Sequence, residues 1–368
     1  LVGSEMCIRD SSINGIKAGY AAGMKVIHIP DTIEINDDIR RLTSVVCHSL
    51  SDVPDIIDTL NEGKVADVEG YYENAKINRV YVDRVHVKKA FAEYTAAYNA
   101  DDPKIKLKID HTYRVAALCE RIAKAAGMCA YDVELAWLSG MLHDVGRFEQ
   151  IKRYNTFSDA DSVDHAKFGA DLLFKDGLIS TFLNGMVKCT GYKPGALEDR
   201  YSSDGVFLYD RLNKSDMEML ELAIRCHNMY RIPQGLNRRE QAFCNVLRDA
   251  DKVDIFKVNI DTPLEEIYNT TTEELMKSDI TDEVLEAFDE EHCILKAIRR
   301  TPADTVIGHV SLAYELVYDE SVRITVEQGY LAKLMHFHSD NEETNRKMAM
   351  VREKMDSYVK KRIGEKDA

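Results

Sequence analysis

The chain has 368 residues, 45% hydrophobic and 30% charged, which is enough for two domains that each bury a core. Lys and Arg total 48 against 63 for Asp and Glu, and the resulting charge of −15 argues against a protein that grips a nucleic-acid polymer, because phosphate backbones need a basic face. A small anionic substrate stays compatible where a metal ion or a few cations reverse the field locally. Eight cysteines without a CxxC pair read as reduced thiols of a cytoplasmic protein, and the apolar runs break too early for a membrane span.

The pattern of Leu1 to Asp10 does not continue into the residues after it. Met6 to Ser11 resembles the translation of a transposon end used in sequencing libraries, so residues 1–11 are expected to be an assembly scar with the true N-terminus upstream. From Ser12 an Ala-rich helix stops at Gly23, Lys25 to Ile29 reads as a buried strand closed by Pro30, Ser44 to Cys47 as a second strand, and Asp52 to Leu60 as a helix. This is α/β alternation. Ser12, Gly15, Ile16, Ala18, Ala22, Gly23 and Met24 resemble the closing motif of haloacid dehalogenase-like phosphatases of the phosphoglucomutase subgroup. That family's two acidic magnesium positions fall on Asp10 and Ser11, and its Asp-x-Asp nucleophile, Ser/Thr motif and Lys are not in this chain. The resemblance covers about residues 12–62 and implies the remnant of a Rossmann-like hydrolase domain without phosphatase activity. Residues 63–80 read as a polar linker.

From about residue 81 to 368 the chain reads as helical almost throughout. Val87, Ala90, Phe91, Tyr94 and Ala97 stripe a helix over Val85 to Tyr98. A second helix has His111 near its start and Val115, Leu118, Cys119 and Ile122 at core spacing before Gly127. A third, Tyr131 to Val145, delivers His143 and Asp144 at its end. A loop from Tyr154 to His165 then leads into a helix over Ala166 to Phe174. Another helix ends at His227-Asn228, and Val246 to Phe256 places Asp249, Asp251, Lys252 and Asp254 inside an apolar helix. The remainder is expected to be amphipathic helix that packs around the site without supplying ligands.

His143-Asp144 closes an apolar run, where adjacent imidazole and carboxylate groups are expensive to desolvate unless a bound cation offsets both. With His111 and Asp251, this makes two imidazoles and two carboxylates from separate helices. Such mixed nitrogen and oxygen donors suit manganese, iron, cobalt or zinc better than magnesium alone. Four protein ligands leave positions open for water and substrate, as a catalytic site requires. His28, His48, His86, His292, His309, His336 and His338 read as ordinary core or surface residues.

The ordered set His111, His143-Asp144, Asp251 resembles the HD superfamily of metal-dependent phosphohydrolases. The match extends to Gly146, Arg147-Phe148, Asp164-His165, His227-Asn228 and the Arg248 to Asp254 string, over about residues 80 to 320. The resemblance implies a mainly α, HD-type helical bundle, with His111, His143, Asp144 and Asp251 as metal ligands. Members with two metals supply further histidines, often as a His-His pair where this chain has His227-Asn228. His165 and His227 are therefore expected to contact phosphate or transfer a proton ahead of holding a second ion. Arg147 is expected to clamp a phosphate oxygen or to pair with Glu149, Asp144 or the Asp249 segment. Asp144 or Asp249 would orient the attacking water, and Lys252 would orient Asp251 or neutralise Asp249 and Asp254.

The function expected on these grounds is metal-assisted hydrolysis of a small-molecule phosphomonoester or phosphodiester, with a nucleotide favoured. The alternatives are a regulatory module that binds metal or nucleotide without turnover, and the remnant of a two-headed phosphatase.

Overall fold

The structure, a computed structural model, describes residues 13–22, 26–28, 42, 45–46, 82–99, 101–128, 130–183 and 214–364. The expected scar, the helix over Asp52 to Leu60 and the linker lie outside these residues. In the N-terminal segment α1 (Ile13–Ala21) precedes β1 (Ile27–His28) and β2 (Val45–Val46), which pair in parallel with Ile27 opposite Val45.

The rest of the described chain is helical. α2 (Arg84–Thr95) starts where the Asp83 carboxylate accepts from the Val85 and His86 N–H groups. α3 (Pro103–Ala125) starts earlier than His111 suggests, because Asp102 caps it and Pro103 occupies its first turn. His111 therefore sits in the helix interior, two turns from its capped N-terminus. α4 (Ala130–Leu142) stops short of the dyad, and α5 (Val145–Tyr154) begins directly after it. His143 and Asp144 thus occupy a tight turn between two helices, not the last turn of one. This frees the two side chains from the fixed angle between neighbouring helical residues.

α6 (His165–Ala170) continues as a π-helical turn, Asp171–Lys175, with α7 (Ile179–Leu183) beyond it. α8 (Lys214–Cys226) ends just before His227, and α9 (Arg238–Asp261) opens with a capping box between Asn237 and Glu240. The C-terminal helices are α10 (Leu264–Tyr268), α11 (Thr272–Lys277), α12 (Asp282–Asp289), α13 (Pro302–Val310), α14 (Asp319–Gln328), α15 (Tyr330–Met335) and α16 (Glu342–Ile363).

Two apolar clusters organise these helices. The first joins Val115, Cys119 and Ile122 of α3, Leu135, Leu138 and Leu142 of α4, and Val246, Leu247 and Val253 of α9. The second gathers Leu275, Val284, Phe288, Val306, Met348 and Val351 around Phe256. α9 is common to both. Glycines set the closest crossings: a Cβ on Gly140 would lie 2.6 Å from the Ala116 Cα, and one on Gly146 would lie 2.5 Å from the His165 carbonyl oxygen. Both obstacles are backbone, which cannot step aside like a flexible side chain. Gly146→Ala is expected to cost roughly 1–3 kcal/mol by prising α6, and His165 with it, away from α5. Urea denaturation reads this directly, and an unchanged midpoint would refute the crossing.

Candidate metal centre

The dyad turn, the interior of α3, the first residue of α6, the residue after α8 and the middle of α9 bring five groups to Asp144. His111, His143, Asp144, His165 and His227 are all buried. The Asp144 carboxylate divides between two histidine pairs. Its Oδ2 lies 3.5 Å from Nε2 of His111 and 3.5 Å from Nε2 of His143. Its Oδ1 lies 3.6 Å from Nε2 of His165 and 3.7 Å from Nε2 of His227. Asp251 joins the first pair, with Oδ1 3.2 Å from His111 Nε2 and 3.9 Å from His143 Nε2. Donor atoms of His111, His143 and Asp251 can hold one cation, and those of His143, Asp144 and His227 another.

The hydrogen bonds behind the rings decide what they present inward. His143 Nδ1–H donates to Gly140 O at 2.7 Å, and His227 Nδ1–H to Ile224 O at 2.7 Å. His165 Nδ1–H donates to Asp159 Oδ2 at 2.6 Å, and His111 Nδ1–H to Asp254 Oδ2 at 2.6 Å. Every acceptor is an oxygen with no proton to give, so each neutral ring turns an Nε2 lone pair inward. Those lone pairs face each other at 3.3 Å between His143 and His111 and at 3.1 Å between His165 and His227. Facing lone pairs repel unless a proton or cation lies between them. The buried Asp144 Oδ1 has no hydrogen-bond partner either. The donor set therefore fits divalent cations, and the carboxylates behind His111 and His165 are the outer partners that fix ligand tautomers.

Electrostatics agree with this. Burial, reinforced by His143, pushes the His227 imidazole down to about 4. Burial also takes His165 down to about 4, against the pull of Asp159. Burial lowers His143 as well. At His111 burial and Lys108 pull downward, but the hydrogen bonds to Asp251 and Asp254 prevail and raise it. Burial opposes ionisation of Asp144, yet Lys108, His143 and Arg147 together hold its carboxyl well below the usual range. Asp251 is likewise lowered despite burial, chiefly by His111.

These shifts give the metal-free protein a pH dependence. His165 and His227 titrate near 6.5 when unfolded and about 4 when folded, so between those values the unfolded chain binds more protons. Their contribution to stability is complete above about pH 6.5 and is lost as pH falls towards 4, with a limiting slope of about 2.7 kcal/mol per pH unit for two protons. His111, raised, acts above that window with the opposite sign. Thermal melts in chelator are expected to fall from pH 7 to pH 5, less so after His227→Asn; a flat profile would refute neutral, buried rings.

The remaining expected residues fall in different places. Arg147 lies beside Asp144, with Nε 3.7 Å from Oδ1, but its Nη1 is engaged by Gln150, the Phe157 carbonyl and Asp159. It pairs with neither Glu149 nor the Asp249 segment. Asp249 serves elsewhere than expected. Its oxygens accept from the Val317 and Tyr318 N–H groups and the Ser321 hydroxyl at 2.7–3.0 Å, so it ties α9 to the start of α14 and does not orient water. Lys252 forms no ion pair among the described residues: its Nζ meets the Arg248 carbonyl at 3.5 Å, and it acts on Asp249 and Asp251 only through space. Burial, with Arg248 nearby, lowers its ammonium to about 8. Asp254, expected to be neutralised by Lys252, pairs with Arg114 and His111 instead. Asn228, in place of a second histidine, donates to Asp164 at 2.9 Å and Asp159 at 3.3 Å.

Sequence reasoning missed Lys108, whose Nζ sits 2.6 Å from Asp144 Oδ2. It also missed Arg114, Asp159 and the orienting role of Asp254. The available signal was helical spacing: Lys108 and Arg114 lie three residues either side of His111, and Asp254 lies three past Asp251.

Residues 109–257 match the family model of the HD domain, and this stretch holds the four histidines and Asp251 that gather at Asp144, with Lys108 just before it. The mainly helical architecture is that expected of an HD-type domain. Neither curated proteins nor solved structures yield a match, and the N-terminal resemblance to dehalogenase-like hydrolases finds no support among these comparisons. Among the described residues no helix is long and apolar enough to cross a membrane.

Proposed function

We propose that the chain is an HD-type, metal-dependent phosphohydrolase acting on a small-molecule phosphoester, with a nucleotide as the favoured substrate class. The observation that carries this reading is one buried carboxylate, Asp144, facing two pairs of imidazole lone pairs. His111, His143, Asp144 and Asp251 would hold one divalent ion, and Asp144, His165 and His227 a second. Nitrogen-rich donors favour manganese, iron, cobalt or zinc. Such an ion supplies Lewis acidity towards a phosphoryl oxygen and lowers the pKa of water.

The protein's own groups complete the chemistry. The Lys108 ammonium and the Arg147 guanidinium flank Asp144 and offer donors to a phosphoryl oxygen, offsetting charge that the acidic surface would repel. Asp254 and Asp159 keep His111 and His165 in the tautomer that turns Nε2 inward. His165 and His227, neutral near pH 7, can take or hold a proton beside the reacting group once they are not fully engaged as ligands.

The test is metal content by mass spectrometry, alongside a hydrolysis screen over nucleotides and generic phosphoesters before and after chelation. Bound transition metal together with turnover that chelation removes supports the reading. A folded chain that takes up no metal under any loading would favour a regulatory module instead.

A further inference from the structure

Two cations outside the Asp144 cluster are buried and a third is half-buried, all without an ion pair among the described residues. Arg248 and Lys252 stand four residues apart on α9, and only 6% and 9% of their surfaces are exposed. Arg248 donates through Nη2 to Tyr230 O at 3.0 Å, while its buried Nε has no partner. Arg299 lies against Gly308, where an added Cβ would come within 2.2 Å of its Cζ; its Nη2 donates to the Ile294 carbonyl and its buried Nε has no partner. Among the described residues none of the three forms an ion pair, although the chain carries far more acid than base.

One hydrogen-bonded frame holds them together. Tyr230, three residues past His227, donates through its hydroxyl to Cys293 O at 3.1 Å, and the Cys293 N–H donates to Glu315 Oε1 at 3.2 Å. Glu315 acts electrostatically on Lys252, as do Asp249 and Asp251, and Cys293 feels both Lys252 and Arg299. Asp249 is consumed by α14, and Asp251 faces His111. Of the three cations, Lys252 is the one that Glu315 acts on; Arg248 stands one turn away on α9, Arg299 lies beside Cys293, and Lys252 directly follows Asp251 in the chain. Buried charges of one sign are retained against their desolvation cost only where something repays it. An oxyanion does so, and planar guanidinium groups with free N–H donors suit it.

We propose that Arg248, Lys252 and Arg299 form a binding subsite for a phosphate-type oxyanion beside the metal centre. Its occupant is a second phosphate of the substrate, distinct from the one hydrolysed. The subsite itself is independent of the hydrolase reading, whereas naming the substrate as its source rests on that reading.

The experiment uses the full chain in chelator, with inorganic phosphate as probe and chloride at matched ionic strength as control. Phosphate at about 10 mM is expected to raise Tm by about 2 °C or more. The rise should vanish in Lys252→Met and persist in Asp144→Asn. A rise kept in Lys252→Met, or lost only in Asp144→Asn, overturns the proposal. Should Lys252→Met fail to fold, wild-type crystals soaked with tungstate decide: an anomalous peak against Lys252 Nζ supports the subsite, while a peak only beside His143, or none, refutes it.

Turnover then separates the two sources of phosphate. Lys252→Met should raise KM about tenfold for a substrate with two phosphates and leave one with a single phosphate unchanged. Equal effects would assign the subsite to free phosphate. Phosphate binding without any turnover would retire the hydrolase reading and leave the subsite standing.

Discussion

Asp144→Asn is expected to reduce hydrolysis on the order of 10³-fold, the size of losing one preorganised charge-stabilising group, and to lower metal content more than any other single substitution. The reason is placement. One carboxylate faces both histidine pairs, with Oδ2 towards His111 and His143 and Oδ1 towards His165 and His227. Asparagine keeps the shape but not the charge, so both clusters lose their shared anion and Lys108 loses its partner at 2.6 Å. Asp251→Asn is the comparison, because Asp251 approaches only the first pair. Mass spectrometry should find metal depleted from both clusters in Asp144→Asn and from one in Asp251→Asn. Equal depletion would show that Asp144 does not serve two positions.

Asp249→Ala is expected to act on stability and not on chemistry. Its fully buried carboxylate accepts from two backbone N–H groups and the Ser321 hydroxyl, and alanine leaves these donors without an acceptor. At about 1–3 kcal/mol for each buried donor left unsatisfied, discounted for partial access of water at Val317, the loss is roughly 2–5 kcal/mol. Urea denaturation measures it, and metal bound per folded molecule should stay unchanged. A normally stable variant with impaired turnover would return Asp249 to the reacting groups.

These two aspartates show how far the sequence can be read. The order His111, His143-Asp144, Asp251 is legible because each sits at a break or charge in an apolar helical pattern, and the structure brings all four together. Asp249 misleads because it lies close to Asp251 in the chain. On a helix, two residues differ by about 200° in direction, so the two carboxylates leave α9 on opposite sides; three residues differ by about 60° in net direction, which puts Asp254 on the face of Asp251. The same spacing points to Lys108. It escapes notice because a lysine three residues before a histidine on a polar helix face is ordinarily solvated, and only the fold shows Asp144 opposite it. The helix over Val85 to Tyr98 differs from expectation only at its ends, where local hydrogen bonds outweigh apolar periodicity, whereas the helix expected over Ala166 to Phe174 turns π-helical from Asp171 onward.

α9 carries a further consequence. Its Leu247 and Val253, either side of Asp251, belong to one apolar cluster and its Phe256, five residues past Asp251, to the other. A rod of 24 residues, about 36 Å long, cannot bend at one residue without breaking its own hydrogen-bond ladder. The two cores therefore open and close as one foldon, and slow amide exchange should run unbroken through the join. Substitutions that loosen the second cluster, such as Phe288→Ala, are therefore expected to speed exchange of the Asp251 amide as well as of their own surroundings.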